Sequence, residues 1–179
     1  MKDEEVLKLR FDGWPLPDTY LIELGRITAL WGVLESLLNV CLGKLAGFND
    51  LTDPTPFILL THSSFPQRLD MLGSLCGCLS RDHPNLGDYQ RVISSLKTAQ
   101  KVRNKYTHHG MDHDEKTGEV TMATGSARGS LKVSTEPVTL ADVRRASMAI
   151  HQATVDLYKL VLKREVLPMW ERRRCGDAR

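Results

Sequence analysis

From Leu24 to Leu45 the chain returns to an apolar residue every three or four positions, at Leu24, Ile27, Leu30, Trp31, Leu34, Leu37, Leu38, Cys41, Leu42 and Leu45. That period is helical, and the stripe is wide, as expected of a helix packed against several neighbours. Asp18, after Pro17, is the expected cap, and Gly47 the stop. A turn-rich link over 48–56 leads to a short apolar helix in FILLTHS. The next helix is expected to start at Ser64, with Pro66 in its first turn. After the link SRDHPNLG, a second long helix is predicted from Leu86 to about His108. Tyr89, Val92, Ile93, Leu96, Ala99, Gln100 and Val102 mark its inner side, and Gly110 its C′ position.

Beyond Gly110 the pattern changes. EVTMAT and SLKVST are rich in β-branched residues and separated by Gly and Ser, which predicts a two-stranded hairpin lying on the helical body or on a partner. Thr139 then caps a last long helix running through LADVRRASMAIHQATVDLYKLVLKREV, with Pro168 near its end. The expected fold is mainly α: a bundle of about five helices with a β-hairpin inserted before the last. One domain spans 1–179, with an irregular arm at 1–16 whose Trp14 and Pro15 fold back on the body. The insertion occupies 111–137 and a basic tail 168–179.

Composition adds little until charge is placed along the chain. Hydrophobic residues are 41% and charged residues 26% of 179, and the net charge of +2 is too small to argue for nucleic acid. Between Asp88 and Asp112, however, the charged side chains are Arg91, Lys97, Lys101, Arg103 and Lys105, all positive. Of the four cysteines, Cys41 reads as packing, Cys76 and Cys78 lack zinc-knuckle spacing, and Cys175 stands alone. The start MKDEEVLKLR carries no apolar signal segment, and no run approaches 18 apolar residues. A reducing cytoplasm, with no membrane partner, is the expected setting.

The informative chemistry lies in RNKYTHHG. A guanidinium can hold a phosphate while an imidazole handles a proton. Arg followed by His at this distance arises about once by chance in such a chain, and Arg144 and Arg145 before His151 read as that chance match. Asn104 directly after Arg103 and the helix-end position set the first occurrence apart. Asn104 and His108 are one turn apart, so the amide is expected to orient the imidazole. Arg103 lies about 140° from His108 on an ideal helix, so the two are expected to converge only through a distorted helix end or a second copy of the chain. Glu35, between Trp31 and Leu38 on the apolar stripe, is a costly buried carboxylate for which Arg103 is the expected partner.

The long first helix carrying a Glu, the R-N-x-x-x-H ending a later long helix and the Gly just after it resemble the HEPN domain, over roughly residues 18–165. That resemblance implies a dimerising helical bundle, and in many members a metal-independent endoribonuclease of toxin, defence or RNA-processing systems. Carried onto this chain, Arg103 binds the scissile phosphate, His108 is the acid–base group and Asn104 orients it. The implied products end in a 2′,3′-cyclic phosphate and a 5′-hydroxyl. Glu35, Lys105 and Tyr106 are the supporting residues, Tyr106 by stacking on a base or ribose. No cofactor or metal is expected, and the implied partners are RNA, a second copy, and an antitoxin or regulatory protein.

Other readings stand beside this one. Arg103 with Glu35 can be a structural ion pair, and His108 a helix-end residue meeting the dipole. His108, His109, Asp112, His113 and Asp114 form a His/Asp cluster that reads as a solvated turn before it reads as a metal site. Gln67 and Arg68 face the first helix near Glu35 or lie on the surface, and Arg172, Arg173 and Arg174 are solvated or touch RNA. The alternative functions are a non-catalytic HEPN-like module binding RNA, nucleotide or a partner, and an immunity-type interaction protein using the hairpin as its recognition edge.

Overall fold

The computed structural model describes residues 3–6, 8, 13–50, 52–126 and 132–171. The tip of the expected hairpin at 127–131, and the tail with Arg172, Arg173, Arg174 and Cys175, lie outside the described residues. A one-turn helix α1 (Asp3–Val6) precedes the long α2 (Asp18–Leu45), and α3 (Thr55–Leu60), α4 (Phe65–Leu79) and α5 (Tyr89–His108) follow. Strands β1 (Met111–His113), β2 (Val120–Ser126) and β3 (Lys132–Pro137) come next, and then α6 (Leu140–Leu157), which continues as a π turn to Leu162.

The predicted stripe of α2 is the centre of the molecule. Ile27, Trp31, Leu34, Leu37, Leu38, Cys41 and Leu42 are buried on it, and α2 meets α3, α4, α5 and α6. Trp31 packs on Phe65 of α4 with ring centroids 4.6 Å apart. Gly43 lets α3 approach closely, since a Cβ there would stand 2.6 Å from Pro56. α5 lays Val92, Leu96 and Ala99 against α6, whose Val143, Ala146, Ile150 and Ala153 close the core. Burying a Leu or Ile of this kind contributes roughly 2 kcal/mol.

Caps mark two of the starts. Ser64 and Gln67 form a capping box on α4, and Thr139 and Asp142 form one on α6. The first long helix departs from expectation: Pro17 is its N-cap, Asp18 is already helical, and no side chain caps it. Trp14 and Pro15 are exposed rather than folded back, and Leu16 and Tyr20 pack on the core instead. The Tyr20 hydroxyl donates to the Val138 carbonyl at 2.9 Å, tying α2 to the entry of α6.

The insertion is a hairpin of β2 and β3 with β1 added on the other side of β2, all antiparallel. Val120 and Met122, two apart on β2, are buried and join the core, which is what anchors a sheet of this size. The last helix stops earlier than its sequence pattern suggests. A π turn over Tyr158–Leu162 ends in left-handed Lys163 at φ 54°, where the helical path terminates.

Candidate active site

α5 enters its last turn with RNKYTH and stops at His109, whose backbone is extended (φ −112°, ψ 139°). Gly110 is not left-handed, contrary to the expected C′ role. The chain leaves the helix because it joins the sheet: the Gly110 carbonyl accepts from Ala123 N at 2.9 Å, and β1 begins at the next residue. The His109 Nδ1 donates to the Lys105 carbonyl at 2.8 Å, satisfying one of the helix's last acceptors.

Arg103 is held from two directions. Its guanidinium lies over the Trp31 ring, 5.5 Å from the centroid, so α2 fixes it from below. One nitrogen, Nη1, reaches both Asn104 Oδ1 (3.1 Å) and His108 Nε2 (3.0 Å). A guanidinium has no acceptor, so Nε2 must accept and the ring proton of His108 sits on Nδ1. Arg103 and His108 thus converge within one chain. Neither a distorted helix end nor a second copy is needed for this contact, because the long Arg side chain bends around the helix. The expected Asn104–His108 contact is also replaced: Asn104 binds Arg103, and Arg103 bridges to the imidazole.

The other arginines of the α-helices differ. Arg26, Arg68, Arg91, Arg144 and Arg145 each pair with a carboxylate. Among the described residues Arg103 pairs with none, and its Nε and Nη2 have no hydrogen-bond partner. A positive fork with a free edge, flanked by an imidazole, is what a phosphate needs.

Of the three supporting residues, Glu35 and Tyr106 depart from expectation. Glu35 is not Arg103's partner; its side chain is 36% exposed and meets Arg68 at 3.5 Å, while Arg68 also donates to Asn39 at 3.0 Å. Tyr106 is buried at 8% exposure, so it packs in the core and does not stack on a ligand. Burial pushes its hydroxyl above the ordinary tyrosine value. Lys105 is engaged, bridging to Glu136 of β3 at 2.8 Å, and that hydrogen bond raises its ammonium above the usual lysine value.

The buried carboxylate is Glu23. It is 2% exposed and accepts from Arg144 Nε at 2.8 Å and Arg26 Nη1 at 2.5 Å. Burial pushes its carboxyl up, and the two guanidiniums outweigh that and hold it below the ordinary value. Arg144, set aside in the sequence as half of a chance match, is therefore a structural residue. His151 is buried, receives Met169 N at 3.0 Å and meets the Trp170 ring edge-on.

The His/Asp cluster is divided between the end of α5 and β1, and no group of three His, Cys, Asp or Glu suited to a metal is found among the described residues. Among those residues, too, no helix is long and apolar enough to cross a membrane. Cys41 and Cys76 are buried, with the Cys41 thiol pushed up to about 12 by burial, and Cys78 is exposed. An apolar cleft of about 560 Å³ beside α3, lined by Leu42, Ala46, Leu59, Met71 and Leu75, shares no residue with the Arg103 site. Compared with protein-family models, curated proteins and solved structures, the chain matches none.

Proposed function

We propose that this chain is an endoribonuclease of the HEPN type, cutting RNA by Arg/His chemistry without a metal. The observation that carries the reading is the charge-unpaired Arg103, held on Trp31 and hydrogen-bonded at 3.0 Å to Nε2 of His108. In the free protein that guanidinium covers the imidazole lone pair. An arriving phosphodiester draws Arg103 onto its oxygens, which uncovers Nε2. The imidazole then takes the proton of the ribose 2′-hydroxyl as O2′ bonds to phosphorus. The P–O5′ bond breaks, and the proton passes from His108 to the leaving O5′. The products are a 2′,3′-cyclic phosphate and a 5′-hydroxyl. Asn104 acts through Arg103, holding the guanidinium beside the ring.

Dimerisation across a twofold axis, a toxin or defence role and a neutralising partner belong to this proposal through the family resemblance. Cleavage of RNA in excess chelator, with analysis of the product ends, is the deciding test. Cyclic-phosphate ends are expected, together with a fall of at least about 10²-fold in Arg103→Ala and His108→Ala, the size of a lost acid–base group. Equal cutting by His108→Ala overturns the reading. RNA that is bound but left intact points instead to a non-catalytic module.

A further inference from the structure

α5 carries no acidic residue, and its charges are not all spent. Arg91 is neutralised by Asp88 and Asp156, and Lys105 by Glu136. Lys97 and Lys101 are exposed and have no anionic partner among the described residues. At 100° and 1.5 Å per residue, Lys97, Lys101, Asn104 and His108 fall within about 60° of one another, along some 16 Å of one helix face. That row leads straight to the proposed catalytic imidazole.

Three of the row, Lys97, Lys101 and Asn104, also line a groove of about 590 Å³. Lys97, Gln100, Lys101 and Asn104 supply the helix side, and Thr124 and Glu136 the sheet side. The Lys105–Glu136 bridge joins the two walls and removes the negative charge that would otherwise repel an anion. Two unpaired ammonium groups about 6 Å apart along the axis suit a chain of phosphates. The amides and the hydroxyl offer hydrogen bonds that bases and riboses can use.

We infer that this groove between α5 and the inserted sheet holds the RNA strand flanking the scissile phosphate. Lys97 and Lys101 take backbone phosphates, and Asn104 marks where the groove opens onto Arg103 and His108. The inference rests on the endoribonuclease reading and adds to it a substrate class, single-stranded RNA longer than a dinucleotide. With Tyr106 buried, no Phe, Tyr or Trp lines the groove among the described residues, and the His109 ring that does line it is tied through Nδ1 to the Lys105 carbonyl. Recognition is therefore electrostatic, with little sequence preference.

The test uses the full chain, a twelve-nucleotide 2′-O-methyl RNA that cannot be cleaved, and fluorescence anisotropy across a salt series. Lys97→Gln/Lys101→Gln is expected to bind about tenfold more weakly, with a log–log salt slope shallower by about 1.4, the value for two single-strand phosphates. On cleavable substrates, the advantage in kcat/KM of a twelve-nucleotide RNA over a dinucleotide should shrink by a similar factor. Lys44→Gln/Lys116→Gln removes the same charge elsewhere and should leave binding at the wild-type level. The inference is overturned if the two double variants weaken binding equally. It also fails if Lys97→Gln/Lys101→Gln binds like wild type, or if oligoglutamate of the same length binds as tightly as RNA. Wild type that cleaves RNA alongside indifferent lysine variants sinks the groove alone. Wild type that binds but cleaves nothing sinks the ribonuclease reading, and the lysine variants still decide the groove.

Discussion

Near the start of α2, Glu23 is buried and takes hydrogen bonds from Arg26 and Arg144; at the end of α5, Arg103 faces an amide, an imidazole and an indole, and no carboxylate among the described residues. Both places put arginine against α2. In the first, charge is neutralised within the fold, and the arrangement contributes stability. In the second, positive charge is positioned and left unneutralised, which brings little to the fold and leaves a binding edge. An arginine without a carboxylate, in a chain where its helical counterparts all have one, marks where an anion from outside is expected.

The largest effect that can break this contrast is on turnover. Arg103→Ala and His108→Ala should each lose at least about 10²-fold in RNA cleavage while keeping the fold, and Glu23→Gln should cleave at near the wild-type rate at a temperature where it is folded. A Glu23 variant as inactive as His108→Ala, yet folded, would erase the distinction. A sharper form mixes chains. Because Arg103 and His108 meet inside one chain, a mixture of Arg103→Ala and His108→Ala proteins should stay inactive after co-refolding. Recovery of up to a quarter of the activity would move the working pair across an interface, as the sequence spacing had suggested.

On stability the order reverses. Glu23→Gln leaves two guanidiniums against a neutral amide, and should cost about 1–3 kcal/mol. The lower half is expected, since Arg26 and Arg144 are 45% and 61% exposed and can rehydrate. For a chain of this size, each kcal/mol lowers Tm by roughly 2–4 °C. Arg103→Ala loses its cation–π contact and two hydrogen bonds from the guanidinium to uncharged groups that water can replace, and should fall by about 1 kcal/mol or less. Thermal melts of the two variants side by side measure this. An Arg103→Ala melt lower than that of Glu23→Gln contradicts it.

The sequence shows one half of this contrast better than the other. The stripe of α2, the starts at Ser64 and Thr139, and RNKYTH at a helix end are all legible from period and cap chemistry, because these are local. The partners are not local. Glu23 and Glu35 both lie on a helix with a wide apolar stripe, and which one is buried depends on where α6 brings Arg144, 121 residues away. The i,i+4 spacing of Asn104 and His108 suggests a direct bond, but the longer Arg103 side chain reaches both first. β1 is three largely polar residues whose strand character comes only from pairing with β2. The groove needs the sheet to stand against α5, which no spacing along the chain reveals.

The smallest expected effect, and the finest test of the contrast, is the shape of stability against pH. Glu23 titrates at 4.5 when unfolded and lower when folded, so its contribution is complete above 4.5 and is lost as pH falls through the folded value. Asp142, held at about 2 by the Thr139 hydroxyl and backbone and by Arg145, behaves alike between 3.8 and about 2. Among the described residues Arg103 has no carboxylate to protonate. In melts taken from pH 6 down to pH 2.5, Glu23→Gln should flatten the decline just below 4.5 and Asp142→Asn the decline below 3.8. Arg103→Ala should run parallel to wild type across the carboxylate range, from pH 4.5 down to pH 2.5. If its curve instead converges on wild type between pH 4.5 and pH 2.5, Arg103 has a carboxylate partner in solution. The unpaired guanidinium on which the phosphate site rests would then be paired after all.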